Sequence, residues 1–443
     1  MSLTYQDLEL PIYRNTREII HFNIEKKGEA QRCTLTLSDL VLAAELAGLN
    51  MLFISDTGRG KTQLVSDIYT AHFGGKGNWM VGRKDASVLD LFERTSADLT
   101  TGKFDSETAR TLHEKRVAYL LNVADELNRA PGPVQADFFD LADGKYAFRG
   151  ERALLGKEGY SLFLATMNLN KAGDNGFSGT FDVDRALYNR SHLTIDLDHS
   201  DFRPTAEDKL YIRSHAMDPR VKHAEKKDIS AEILQAFHTI RTRSREPSLD
   251  AQIFAFLVDE SLDYCEKDAL KHEKQGSWPM ACLDCPHSAN ICSSVKSSSE
   301  RTVESIALLA QGLQYLAELK YGPVSISSFD AFLEAFRFTT YHGNLNDIAI
   351  GEKYAGRRQI LMDETVHNLR EIVTSIKPFM SKERLNTRLI ECTIPERGSM
   401  TIEYQQDLLR SIEQKKIPHK VLDLPTILKE KGIGTNWIQS IKK

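Results

Sequence analysis

The sequence predicts an α/β fold over its first ~200 residues, a parallel sheet between helices, followed by a mainly helical remainder. Three observations lead there. Short β-like apolar runs alternate with helix-like runs up to about position 200. Several of those runs end in polar clusters, where ligands bind in open α/β sheets. Beyond Asp201 the periodicity becomes helical.

The run Asn50 to Ile54 reads as a buried strand and Lys61 to Phe73 as the helix that follows it. Val117 to Val123 reads as a second strand and Tyr160 to Thr166 as a third. Phe202-Arg203-Pro204-Thr205 looks like a linker, with Thr205 placed to cap the next helix. Helices are then expected over Ala206 to His215, Ser230 to Thr242, Asp250 to Asp263, Thr302 to Lys320, Ser327 to Thr339 and Arg358 to Ile376, the last ended by Pro378. From Lys415 a tail with seven lysines and two acids reads as a solvated surface. These signals divide the 443 residues into an αβα domain (1–200), a helical domain with a Cys-rich insertion at 265–292 (201–345), and a helical C-terminal region with the basic tail (346–443).

Composition narrows the class. Apolar residues make up 41% and charged residues 27%, and the formal net charge is -5. That balance suits a soluble globular protein and argues against one that coats nucleic acid. No run reaches the roughly 20 apolar residues that span a bilayer. Met1 to Ile20 carries acids and no apolar run, unlike a signal peptide, so a cytoplasmic location is expected.

The chemistry concentrates at three points. Ser55-Asp56-Thr57-Gly58-Arg59-Gly60-Lys61-Thr62 stands between a strand and a helix and fits the phosphate loop G-x-x-x-x-G-K-[ST], except that Ser55 replaces the first glycine. Gly58 and Gly60 let backbone N–H groups close around phosphate, and the helix N-terminus favours its charge. Lys61 supplies a cation to the β- and γ-phosphates, and the Thr62 hydroxyl suits Mg²⁺. If position 55 required a glycine-only conformation, serine would cost about 1 kcal/mol or more. The second point is the strand ending in Asp125 and Glu126, the first carboxylate for Mg²⁺ and the second to orient and deprotonate a water. The third is Asn168, at the end of Leu164-Ala165-Thr166-Met167-Asn168, able to reach the γ-phosphate and hold that water. Together they imply ATP and Mg²⁺.

These residues resemble the MoxR-like branch of the AAA+ ATPases. Ala124-Asp125-Glu126-Leu127-Asn128-Arg129-Ala130-Pro131 is similar to that branch's Walker B signature, and Leu164 to Asn168 to its sensor 1; the likeness covers roughly residues 35–200. It implies an AAA+ P-loop core with a helical lid, and an ATPase active at the subunit junctions of a ring, commonly of six. Such rings remodel or mature protein clients, often with a partner bearing a von Willebrand factor A domain. It further implies that Arg190 is the arginine finger reaching a neighbouring subunit. Asn189 and Ser191 depart from the family's Asp-Arg-Phe there and leave Arg185 as a rival. Arg301 resembles the lid's sensor 2. Lys76 to Glu114 is long enough for the family's extra β-α-β element, and Gly144 to Gly159 suits its hairpin before sensor 1. Relatives with such a hairpin also move DNA, so a nucleic-acid motor or loader is the alternative.

Four of the six cysteines fall close together. Cys282 and Cys285 form a C-x-x-C, Cys265 precedes them and Cys292 follows. Four thiolates at this spacing can close a tetrahedral metal site. His287 in place of one cysteine favours zinc. The one-plus-three spacing and the proline at 286 resemble the iron–sulfur staple of certain nuclease domains. MoxR-like proteins generally lack such a feature.

Overall fold

The computed structural model describes residues 3–26, 29–83, 97–98, 103–104, 114–148, 151–168, 183, 185–215, 220–245, 249–259, 262 and 291–376. The chain divides into two compact units, residues 1–245 with 308–327, and residues 246–307 with 328–443.

The first unit opens with an antiparallel hairpin, β1 (Glu18–Lys26) and β2 (Glu29–Thr36). Alternation builds it: Ile20, Phe22 and Ile24 are buried on one strand, Cys33 and Leu35 on the other. Thr36 ends β2 and caps α1 (Leu37–Leu46), accepting the Asp39 N–H while the Asp39 carboxylate takes the Thr36 N–H.

Next come β3 (Met51–Ser55), α2 (Lys61–Ala71), β4 (Asn78–Val81), β5 (Leu121–Asp125), α3 (Gly132–Ala142), the hairpin β6 (Lys145–Phe148) with β7 (Glu151–Leu154), β8 (Leu162–Asn168), α4 (Arg185–Tyr188) and β9 (Leu193–Asp196). Five of these strands form one parallel sheet in the order β9-β3-β8-β5-β4. β3, β5 and β8 are buried along their whole lengths, as strands covered on both faces must be. Leu52, Ile54, Ala124, Phe163 and Ala165 pack in one apolar cluster with Phe138 of α3. The order interleaves β8 between β3 and β5, with Asn168 beside Ser55 and Ala165 beside Ala124. The two sequence segments richest in polar chemistry therefore flank a third.

α5 (Ala206–His215) and α6 (Ser230–Ser244) also belong to this unit. Thr205 caps α5 as expected: its hydroxyl accepts the Asp208 N–H at 3.1 Å, and Asp208 returns a bond to the Thr205 N–H at 2.9 Å. The helix α8 (Glu300–Tyr321) follows α7 (Leu249–Val258), and its residues 308–321 join the first unit. There Gly312 lies so close to α1 that an added Cβ would sit 2.5 Å from the Ala43 carbonyl oxygen.

The second unit is helical in its described residues: α7, the start of α8, α9 (Ser328–Thr339), α10 (Asp347–Tyr354) and α11 (Arg358–Ile376). Phe254 of α7 meets Phe329, Phe332 and Phe336 of α9 at ring separations of 6.5, 6.1 and 5.6 Å. These edge-on contacts form its core. Among the described residues no helix is long and apolar enough to cross a membrane.

Several expectations need correction. The second strand begins at Leu121; residues 114–117 are helical, and the strand runs on to Asp125. The helix expected over Asp250 to Asp263 is found over Leu249–Val258. Residues 78–81, inside the segment assigned to an extra β-α-β element, are a strand of the main sheet. Most of the rest of that segment lies outside the described residues, as does the basic tail. Gly144 to Gly159 does contain a hairpin. The N-terminal hairpin and α10 had no counterpart in the sequence reading.

The Gly312 contact is testable. Gly312→Ala is expected to cost about 1–3 kcal/mol through overpacking. It should lower the urea midpoint while leaving the denaturant slope unchanged.

Candidate functional site

The site forms where β3, β8 and β5 end side by side. Ser55 closes β3 as a buried strand residue and is not among the non-glycine residues with positive φ, so the serine carries no glycine-type backbone strain. Gly58 and Gly60 do need their glycines, with φ of 74° and 84°. Gly60 stands at the N-terminus of α2 with no side chain capping that end. An uncapped helix start after a glycine loop leaves N–H donors for an anion.

Lys61 is the hub. Its ammonium donates to the Ser55 carbonyl (3.1 Å), Ser55 Oγ (2.8 Å), the Asp56 carbonyl (2.9 Å) and Asn168 Oδ1 (3.0 Å). Burial lowers its pKa, and the nearby carboxylates of Asp198, Asp56, Asp125 and Glu126 offset that only in part. With Oδ1 turned to Lys61, Asn168 keeps its amide NH₂ as a donor for an oxygen-rich ligand.

Asp125 is nearly buried, and its Oδ1 accepts the Thr62 hydroxyl at 3.3 Å and the Thr166 hydroxyl at 2.5 Å. A carboxylate beside a threonine hydroxyl is a hard oxygen donor set, which fits Mg²⁺. Glu126 adopts a left-handed conformation, φ 53° and ψ 43°. Neighbouring strand residues point to opposite faces. The turn at Glu126 breaks that alternation. Its N–H donates to Thr166 Oγ1 at 2.9 Å, and its carboxylate meets Arg129 at 3.1 Å. A Cβ on Gly82 would fall 2.2 Å from the Glu126 carbonyl oxygen, so the close pass of residue 82 needs glycine.

The structure thus brings together Ser55, Lys61, Thr62, Asp125, Glu126 and Asn168 from the sequence-derived set. The loop residues Asp56, Thr57 and Arg59 are fixed as well: Asp198 accepts the Asp56 N–H at 2.7 Å and Arg59 Nε at 3.0 Å, and Asp56 Oδ1 accepts the Thr57 N–H at 2.7 Å. Arg190 lies apart, paired with Asp143 at 3.1 Å and stacked over Phe139 at 5.1 Å. Arg185 begins α4. Arg301 is exposed in the first turn of α8, in the second unit. Cys265, Cys282, Cys285 and His287 lie outside the described residues, and Cys292 is buried. Among the described residues no group of three or more His, Cys, Asp or Glu is arranged to hold a metal ion.

Several site residues carried no assigned role in the sequence. Asn128 is one: its amide donates to the Asn168 carbonyl at 2.7 Å and its oxygen accepts the Asn168 N–H at 3.4 Å, locking the residue whose side chain reaches Lys61. Thr166, Asp198 and Gly82 are others. Tyr13 is a further one, buried against Gly60, with burial pushing its phenol up to about 12. Asp67 of α2 holds that segment by accepting the Ile12 and Tyr13 N–H groups at 2.9 and 2.6 Å. For Asn128 and Thr166 the signal was proximity to the acids and to Asn168 in sequence. For Tyr13 and Asp198 there was none, since only the fold brings them near.

No protein-family profile matches this chain, and no curated protein matches it. Solved structures do match. One, a "putative ATPase" from Cytophaga hutchinsonii, is 18% identical and aligns over 74% of this chain and 87% of its own, with a TM-score of 0.50. At that identity the likeness concerns the fold. Together with the interleaved parallel sheet it fits an α/β core of parallel strands flanked by helices.

The Asp67 anchor gives a prediction. Asp67→Ala orphans the buried Tyr13 N–H, at about 1–3 kcal/mol, and removes the acceptor of the part-buried Ile12 N–H as well. Chemical denaturation should show that loss, whereas Asp67→Asn, which keeps an acceptor oxygen, should lose less.

Proposed function

We propose that this chain is a magnesium-dependent ATP hydrolase of the AAA+ type. The observation that carries this reading is the convergence of Lys61, Thr62, Asp125, Glu126 and Asn168 at the ends of three adjacent strands. Lys61 and the free N–H groups of the loop bind the phosphates. Thr62 and Asp125 would hold Mg²⁺, which when bound neutralises charge on the β- and γ-phosphates. Glu126 takes a proton from the attacking water, and the Asn168 amide orients that water. Asn128 keeps Asn168 in place from behind.

The finer reading is a MoxR-like remodelling ATPase that works as a homo-oligomeric ring, with Arg190 acting in trans and a von Willebrand factor A partner presenting the client. It rests on the likeness of residues 124–131 and 164–168 to that branch. The anchoring of Arg190 by Asp143 and Phe139 supports it, since a finger must be held in a fixed direction.

Phosphate release by the purified chain tests the core of this reading. The wild type should turn over only with Mg²⁺. Glu126→Gln should keep nucleotide binding and lose about 10²–10⁴-fold in rate, the range of a general base. Activity unchanged in Glu126→Gln would assign the base elsewhere. Lys61→Ala should weaken binding of a fluorescent ATP analogue about ten- to a hundredfold, as loss of a charged hydrogen-bond donor implies. Purification of Glu126→Gln from its native cell tests the finer reading: a stoichiometric partner with a von Willebrand factor A domain is expected, and recovery of salt-resistant nucleic acid alone would replace it with the motor reading.

A further inference from the structure

We propose that Thr166 is a positioning residue whose single hydroxyl sets both acidic groups of the site, holding Asp125 in place for the metal and Glu126 in its left-handed turn. This rests on the ATPase reading of the same site and adds to it a residue which touches neither nucleotide nor water.

The argument begins with register. Ala165 pairs with Ala124 across β8 and β5, so Thr166 stands level with Asp125, the last residue of β5. Thr166 is 1% exposed, which confines its hydroxyl to protein partners. A threonine hydroxyl has one proton to give and lone pairs to accept with. Here both capacities are used. Oγ1 lies 2.5 Å from Asp125 Oδ1 and 2.9 Å from the Glu126 backbone nitrogen. The amide can only donate, so it must donate to Oγ1. The hydroxyl proton therefore goes to Asp125, and the short distance is that of a bond to a charged acceptor. The two bonds reinforce each other, because donation to a carboxylate makes the oxygen a better acceptor.

Both bonds act on geometry the site depends on. Asp125 Oδ1 also takes the Thr62 hydroxyl, so Thr166 and Thr62 fix that carboxylate from two sides. Glu126 is one of three described non-glycine residues with positive φ, a conformation that needs support from its surroundings. Its N–H is held by Thr166, its carbonyl accepts the Arg129 N–H at 2.9 Å, and residue 82 is a glycine where it passes that carbonyl. Without the hydroxyl, the Glu126 N–H loses its acceptor and the turn loses one of its supports. Packing alone does not explain threonine here: valine would fill the same volume and satisfy neither bond.

The test compares Thr166→Val and Thr166→Ser with the wild type. Two readouts are needed, steady-state phosphate release and Mg²⁺-dependent binding of a fluorescent ADP analogue. Thr166→Val is expected to lower kcat at least about tenfold with KM within about threefold, the signature of an interaction that matters in the transition state. Its metal-free nucleotide binding should match the wild type, while the extra affinity conferred by Mg²⁺ should shrink. Thr166→Ser keeps the hydroxyl and should stay within about threefold of the wild type in every readout. Should Thr166→Val fail to fold, Thr166→Ala takes its place with the same expectations. Wild-type behaviour in the hydroxyl-free variant, or equal losses in Thr166→Ser, would overturn the proposal while leaving the ATPase reading intact. A wild-type chain that binds Mg²⁺ and nucleotide but never hydrolyses it would overturn the ATPase reading and this proposal with it.

Discussion

The site depends on one constraint, that β8 lies between β3 and β5. The phosphate loop and the acidic pair come from segments that do not neighbour each other in the sheet; apart from the direct Thr62–Asp125 bond, β8 supplies the side chains that link them. Asn168 reaches one way to Lys61, and Thr166 reaches the other way to Asp125 and Glu126. Two residues of the same parity on one strand point to the same face, so a single strand end can serve both neighbours. The all-parallel pairing puts the three ends at the same edge. Buried apolar residues along β3, β5 and β8 hold that register, because a one-residue slip would turn every side chain to the opposite face.

The same geometry explains the state of Lys61. A buried ammonium without partners would carry a large desolvation cost. Here four oxygens surround it, two of them loop carbonyls. The loop is thus held around its own cation. In the proposed reading an incoming phosphate would compete for that cation, and the uncapped start of α2 would offer it backbone donors in addition. Asp198 fixes the opposite side of the loop through the Asp56 N–H and Arg59, so the strand that follows α4 is also tied to the phosphate site.

Much of this was legible in the sequence, and the reason differs from element to element. The phosphate loop could be read because glycine, lysine and threonine must stand at fixed spacing in one segment. Arg358–Ile376 could be read to its last residue because helical periodicity is local and Pro378 follows shortly after it. Thr205 could be read as a cap because capping is decided within four residues. By contrast, β5 was placed too early because Val117 to Leu120 is as apolar as a strand and periodicity cannot separate the two over so short a run. The hairpin β1–β2 was hidden within a segment read as βα alternation. Tyr13, Asp67 and Asp198 belong to the site only through long-range contacts that no local pattern encodes.

The charges of the site carry the argument one step further. Within reach of Lys61 stand four carboxylates, Asp56, Asp125, Glu126 and Asp198. The nearby arginines are engaged, Arg59 with Asp198 and Arg129 with Glu126. A triphosphate bound here, as proposed, would bring several more negative charges into this partly buried ground, where screening by water is weak. The loop N–H groups and one ammonium cannot balance them alone. In the proposed reading a divalent cation on Asp125 and Thr62 would supply part of the deficit. In the proposed hydrolysis, the charge that develops as the γ-phosphoryl group departs would call for a further cation from outside this cluster. Arg190 sits apart from the chain's own phosphate loop, tethered by Asp143 and Phe139. In the proposed ring that separation is what the mechanism requires, since a finger aimed at a neighbour's nucleotide has to stand away from its own. In that proposal a cluster rich in acid within one chain is completed by a cation from the next.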